Sequence, residues 1–240
     1  MRIRALILRI IRQFIHDKRT LALLNLAPLL ILSLMYLVFD ELLFNRIIPT
    51  LLGLYAFFFV FLIAGISFLK ERTSGTLERL LATPLRRWEI VTGYIGGFGI
   101  FTSIQVVLMT VFAVSVLGST LLGSFWYVIL IMLLLSFTAL SFGTFLSAYA
   151  NTEFQMMQFI PLVIVPQVFF SGLFDLDSMS PWLRWITHIT PLKYGADALQ
   201  SVMLRGEGWN AIAFDVYILL IITVFFLCAN VLALRKHRRI

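Results

Sequence analysis

The run Leu51-Leu52-Gly53-Leu54-Tyr55-Ala56-Phe57-Phe58-Phe59-Val60-Phe61-Leu62-Ile63-Ala64-Gly65-Ile66-Ser67-Phe68-Leu69 carries no charge, and it stops at Lys70-Glu71-Arg72. Wound as an α-helix at 1.5 Å per residue, it spans roughly 28 Å, close to the depth of a bilayer's hydrocarbon layer. Lipid offers backbone groups no hydrogen-bond partners, so such a run crosses as a helix whose bonds are all internal. Working outward, further apolar runs follow the same rule at Leu21 to Phe39, Tyr94 to Leu117, Phe125 to Tyr149, Phe154 to Leu173 and Ile212 to Leu234, and the quoted run itself begins near Ile47. The run from Phe154 is interrupted by Pro161 and Pro166 and diluted by Gln155, Gln158 and Gln167; it reads as a kinked span facing protein. Composition agrees: 60% of the residues are apolar, 13% are charged and the mean hydropathy is +0.97. A soluble domain runs near 45–50% apolar and about 25% charged. Residues 1–240 are therefore expected to form a single all-α integral membrane domain with six transmembrane helices.

Lysine and arginine set its orientation, because cytoplasmic loops collect them. With the N-terminus inside, the cytoplasmic side holds fifteen: Arg2, Arg4, Arg9, Arg12, Lys18, Arg19, Lys70, Arg72, Arg79, Arg86, Arg87, Arg235, Lys236, Arg238 and Arg239. The outer side holds four, Arg46, Arg184, Lys193 and Arg205. Moving either terminus across destroys that asymmetry, so both termini are placed in the cytoplasm. The basic residues of 1–19 are spread through the segment and no cleavage site of small residues follows Leu21 to Phe39, so residues 1–19 are expected to stay on the protein. As a helix they put Arg2, Arg9, Arg12, Gln13, His16 and Arg19 on one side and Ile3, Ile7, Ile10, Ile11, Phe14 and Ile15 on the other. Such an amphipathic helix lies at the interface with its basic face toward anionic lipid.

Two connections exceed a turn, residues 70–93 inside and 174–210 outside. In the inner one, Gly75 and Pro84 bracket a short helix with Leu77, Leu80 and Leu81 on one side and Glu78 and Arg79 elsewhere. Thr83-Pro84 then reads as a second start, a cap followed by proline at the first helical position. On its residues alone the short helix is either a linker on the membrane surface or a docking element. The outer connection is rich in Trp, Leu and Ile, and reads as two short helices. The first starts at Ser180-Pro181 and carries Trp182, Leu183, Trp185, Ile186 and Ile189; the second runs from Leu192 to Leu204 after Pro191, with Gly206 as its C-cap. Neither can cross a bilayer, and Trp182, Trp185, Tyr194 and Trp209 suit the headgroup level.

Several function classes are disfavoured. None of the four lysines follows glycine in a phosphate-binding loop, so ATP has no usual seat here. His16, His188 and His237 are too far apart to ligate a metal, and Cys228 has no partner for a disulfide. The net charge of +7 sits in clusters between apolar runs rather than along a soluble face, which argues against nucleic acid. The spans hold Asn25, Gln105, Gln158, Gln167 and Asn230 but hardly an ionisable group, whereas ion-coupled carriers place carboxylates or histidines at membrane depth. Glu153 and Asp215 fall near span ends. Small residues recur at helix-packing spacing as Gly93 and Gly97, and as Ala139, Gly143 and Ser147.

Lys70-Glu71-Arg72, Gly75-Thr76-x-Glu78-x-Leu80-Leu81-x-Thr83-Pro84, Glu89-Ile90 and Gly93 resemble the permease family of type-2 ATP-binding-cassette exporters. The likeness continues in Phe170-Ser171-Gly172-Leu173-Phe174, Met179, Pro181-Trp182-Leu183, Pro191-Leu192-Lys193-Tyr194 and Asp197-Ala198, and so covers nearly the whole chain. The resemblance implies a cytoplasmic coupling helix resting on a separate ATP-binding subunit, with Glu71, Gly75, Thr76, Glu78, Leu80, Leu81, Thr83 and Pro84 at that contact. It implies an outer re-entrant helical pair before the last span, marked by Ser171, Gly172, Pro181, Trp182, Pro191 and Tyr194. It implies no catalytic residue and no cofactor in this chain, with ATP and Mg on two copies of the partner subunit, and a second permease copy, identical or paralogous, in the plasma membrane. The second and fifth spans would face a central path and offer Phe57, Phe58, Phe61, Met157, Phe159 and Phe169 to an amphipathic substrate; taken singly, each reads first as a lipid-facing or packing residue. An ion-coupled carrier and a non-transporting sensor or scaffold are the rival readings.

Overall fold

The computed structural model describes residues 2–173 and 186–236. Its helices, in chain order, are α1 (Arg2–His16), α2 (Lys18–Val38), α3 (Glu41–Thr73), α4 (Thr76–Leu81), α5 (Arg87–Val111), α6 (Phe125–Ser147), α7 (Glu153–Phe169), α8 (Pro191–Arg205) and α9 (Trp209–Lys236). No strand occurs among the described residues. Among the described residues, five helices are long and apolar enough to cross a bilayer: Lys18–Val38, Glu41–Thr73, Arg87–Val116, Phe125–Ser147 and Trp209–Leu234. The third of these includes a π-helical turn, Phe112–Val116, that prolongs α5. α7 is also apolar but has only 17 residues, with Pro161 and Pro166 inside it.

α3 is the axis of the bundle. Phe57, Phe61 and Leu52 are wholly buried on it, and its tightest neighbour is α6, where Gly143 lies against the Phe61 carbonyl. A Cβ at residue 143 would stand 2.5 Å from that oxygen, so the close crossing of α3 and α6 depends on a missing side chain. α6 is clamped to α9 by polar contacts: Thr138 and Thr223 hydroxyls lie 2.6 Å apart, and Asn230 Nδ2 donates to the Ser141 carbonyl at 2.8 Å. By contrast α2 and α9 leave broad apolar faces uncovered, among them Leu30, Leu34 and Leu37 on α2 and Phe214, Ile221 and Phe225 on α9. That pattern, apolar inside and out, is what lipid as solvent permits.

α1 is held on the bundle by part of its apolar side, while Leu8 and Ile15 stay exposed. Its stripe of Leu6, Ile10 and Phe14 is buried on α5. Leu6 fills the space left by Gly93, Ile10 that left by Gly97, and Phe14 packs edge-on against Phe98 at 4.9 Å and stacks on Phe101 at 5.0 Å. Gly93 and Gly97 thus serve packing within one chain, with α1 as their partner, while Gly99 on the same helix faces Phe137 of α6. Asp17 separates α1 from α2 and caps the latter, accepting from Thr20 N at 3.1 Å and Thr20 Oγ1 at 2.6 Å. The hydrogen bonds from Thr20 hold its carboxyl below the ordinary range.

Candidate functional site

The loop after α3 is built from a turn that only glycine adopts freely. Gly75 has φ 73°, the left-handed region, and α4 begins at the next residue. α4 is amphipathic in the sense expected, but its apolar side faces its own chain. Leu77 is 1% exposed, and Leu80 and Leu81 pack half-buried against the core. The outward surface is Glu78 and Arg79, continued by Ala82, Thr83 and Pro84. Thr76 Oγ1 and Ser74 Oγ lie 3.1 Å apart at its start. The expected helix start at Thr83-Pro84 is corrected: Thr83 Oγ1 donates back to the Leu80 carbonyl at 2.6 Å and so closes α4. α5 begins instead at Arg87, where Glu89 Oε2 accepts from Arg86 N at 2.6 Å. A carboxylate in the first turn meets orphan N–H groups and the positive helix end, which outweighs the proline signal three residues earlier.

Three consecutive residues below α4 each reach a different helix. Lys70 Nζ faces Glu153 Oε1 of α7 at 3.8 Å across solvent. Arg72 Nη1 donates to the Ala148 carbonyl at the end of α6, at 2.7 Å. Glu71 is 4% exposed, and its Oε2 accepts from Arg9 Nη2 of α1 at 2.9 Å and from Tyr94 Oη of α5 at 2.8 Å. Glu71, which the resemblance put at the contact with another subunit, is buried within the chain as a junction of α1, α3 and α5. Arg9 and Tyr94 are functional candidates that the sequence reading missed. They lie 62 and 23 residues from Glu71, and no local pattern connects them.

The expected substrate path divides. Phe57 and Phe61 stack on each other at 6.3 Å inside the chain, with Phe61 edge-on to Phe142, so neither lines an open surface. Phe58 and Phe159 are half-buried, whereas Met157 and Phe169 are exposed on α7. With Phe154, Leu162 and Val165 these two form one exposed stripe of α7 that also carries Gln158.

At the opposite end of the bundle, Gly172 takes φ 84° after buried Ser171. Pro191 opens α8, whose first turn is held by Gln167 Oε1 accepting from Leu192 N at 3.0 Å. Tyr194 Oη donates to the His188 carbonyl at 2.8 Å. Gly206 ends α8 in the left-handed conformation, as the C-cap reading anticipated. Pro181 and Trp182, with the remainder of the first outer helix up to Trp185, lie outside the described residues.

A family model described as ABC-2 type transporter matches residues 1–204. The chain is 28% identical over 191 residues to "ABC transporter G family member 20" of Dictyostelium discoideum, covering 78% of this chain and 26% of that one. It is 23% identical over 178 residues to "Probable multidrug ABC transporter permease YbhR" of Escherichia coli (strain K12), covering 74% and 48%. To "Probable multidrug ABC transporter permease YbhS" of the same strain it is 27% identical over 163 residues, covering 67% and 41%. The matched stretches span less than half the length of each of these relatives.

Proposed function

Because the chain belongs to the ABC-2 type transporter family, we propose that it is the membrane-spanning subunit of an ATP-driven exporter of an amphipathic substrate. It works as a dimer, with a second identical or paralogous copy and two copies of a separate ATP-binding subunit that carry ATP and Mg. Six spans cross the plasma membrane, α7 being the fifth and α8 part of an outer re-entrant pair, and both termini are cytoplasmic. Two of the E. coli relatives are named as multidrug permeases, which favours an amphipathic cargo.

The observation that carries this reading is α4. A six-residue helix is set at a fixed angle by Gly75 and anchored inward through Leu77, and it leaves Glu78, Arg79, Ala82 and Thr83 exposed beside a junction wired to four helices. A surface linker has no need of such anchoring. Closure of the ATP-binding subunits pushes this face, and rigid helices relay the displacement to the outer end. Nucleotide drives the change only by binding one arrangement better than the other.

The test is co-purification with the ATP-binding subunit and stimulation of its hydrolysis. Glu78→Arg with Arg79→Glu reverses the outward charges without touching Leu77. The variant should insert and fold as before, while its affinity for the partner falls by about tenfold or more, the scale of a truncated interface anchor. Wild-type assembly and wild-type stimulation of hydrolysis would remove α4 from the contact.

A further inference from the structure

We propose that the cleft between α1 and α3 is a binding site for one membrane phospholipid whose headgroup is zwitterionic and bears a free amine, as in phosphatidylethanolamine. The proposal is independent of the coupling role assigned to α4.

The cleft is polar at its mouth and apolar at its base. Gln13 and Asp17, from the corner between α1 and α2, line the mouth together with Ser67 and Lys70 of α3. Phe14 and Phe98 form the base, and the same two rings line a second, apolar cleft with Leu24, Val60, Ile63 and Ala64. The two clefts therefore adjoin at those rings. Ser67 and Val60 are seven residues apart on α3, about 10 Å of helix, so the apolar part lies deeper in the bilayer than the charges. A charged mouth at the span's end, continued by an apolar groove toward the membrane interior, fits a molecule with a polar head and a hydrocarbon tail.

The mouth selects the headgroup. Asp17 and Lys70 carry opposite charges and face one cleft, yet among the described residues no ion pair joins them. Lys70 Nζ stands 3.8 Å from Glu153 Oε1, beyond hydrogen-bond distance, and keeps its donors for a ligand. Hydrogen bonds from Thr20, and more weakly the charge of Lys70, hold the Asp17 carboxyl below the ordinary range, so it faces the cleft as an anion with lone pairs to spare. Ser67 Oγ, half-buried, makes no hydrogen bond among the described residues. Glu71, also on the lining, is already matched by Arg9. A purely anionic headgroup would satisfy Lys70 but meet Asp17 as a like charge. A zwitterion satisfies both, with its phosphate at Lys70 and Ser67 and its ammonium at Asp17 and Gln13. An ammonium that keeps its N–H groups is preferred to a trimethylated one, because the Asp17 carboxylate and the Gln13 amide oxygen accept from it.

The experiment titrates the purified full chain, washed free of lipid in detergent, with phosphatidylethanolamine, phosphatidylcholine or phosphatidylglycerol of identical acyl chains, and reads occupancy by native mass spectrometry. The wild-type chain should hold one phosphatidylethanolamine about tenfold or more tighter than either of the others, the worth of one charge-assisted hydrogen bond. Asp17→Asn keeps a capping side chain for α2 and should bring the ethanolamine and choline lipids to equal affinity. Lys70→Gln should weaken binding of all three by about tenfold. Ala64→Phe fills the apolar groove and should abolish binding, while glycerophosphoethanolamine, the same headgroup without chains, should not displace the lipid. Thermal denaturation checks that each variant is folded; if Ala64→Phe is not, Asp17→Asn and Lys70→Gln decide. Equal affinity of the wild-type chain for the three lipids, a preference that survives Asp17→Asn, unaltered binding in Lys70→Gln, or displacement by glycerophosphoethanolamine would overturn the proposal.

Discussion

Gly75 does more at the residue scale than any charged neighbour, because its conformation decides where α4 points. Its φ of 73° disfavours any side chain, yet a Cβ placed there would meet no heavy atom within 4 Å. Strain at this position is therefore purely conformational, roughly 1–2 kcal/mol for a residue with a Cβ and more for a β-branched one. Gly75→Val should relieve that strain by abandoning the left-handed turn, which re-aims α4 with Leu77, Glu78 and Arg79 unchanged in identity. Gly75→Asn should be tolerated, since asparagine enters the left-handed region at little expense. The measurement is co-purification with the ATP-binding subunit for the two variants side by side. Equal assembly in both would mean that the angle of α4 is not set by this glycine. Glu71 makes the complementary point: it carries a charge in a span's last turn, yet it is buried, and its two donors come from helices that the sequence does not place beside it.

Among the elements, the α3–α6 and α1–α5 crossings are both made by glycine, but the obstacles differ. At Gly143 an added Cβ meets the Phe61 backbone carbonyl at 2.5 Å, in a helix buried on several sides. At Gly97 it meets Ile10 Cγ2 at 2.7 Å, a side-chain atom on a helix packed chiefly against α5. Gly143→Ala should therefore destabilise the purified protein in detergent by about 1–3 kcal/mol, the usual range for overpacking, and Gly97→Ala by less. Thermal denaturation of both variants decides it; the reverse order would mean that α3 and α6 are looser than their contact indicates. These crossings also show what a sequence discloses. Apolar run length reveals the spans, and Gly93, Gly97 and Gly143 stand out as small residues at packing intervals. The partner of each glycine face does not show, because helix pairing is a tertiary choice, and so nothing local to α1 sets Leu6, Ile10 and Phe14 against α5. The start of α5 is misread for a related reason: Thr83-Pro84 is a good local signal, and the Arg86–Glu89 cap three residues on is a better one.

For the molecule as a whole, the long axis of α3 separates two polar ends. Its 33 residues, Glu41–Thr73, correspond to about 50 Å of helix, which exceeds the roughly 30 Å of hydrocarbon and carries both ends into water or headgroups. One end gathers Arg9, Lys70, Glu71, Arg72 and α4. The other gathers the α5–α6 connection and α8: Leu122 N donates to the Met203 carbonyl at 3.0 Å, Thr120 N donates to Asn45 Oδ1 at 2.8 Å, and Gly206 lies against Leu122. These contacts tie Asn45, residues 120–122 and the C-terminal end of α8 to one side, whatever the number of spans. Labelling by a membrane-impermeant thiol reagent therefore has a definite expectation in intact cells with Cys228 replaced by serine. A cysteine at Leu122 should react from outside, and one at Thr83 only after the cytoplasm is opened. Both positions are exposed on the protein, so silence at either is not explained by burial. Labelling of both from the same side would contradict the opposed ends of α3 and, with them, the placing of basic residues inside. Labelling in the reversed sense, Thr83 from outside, would keep the fold but turn it over in the membrane, and α4 would then face no ATP at all.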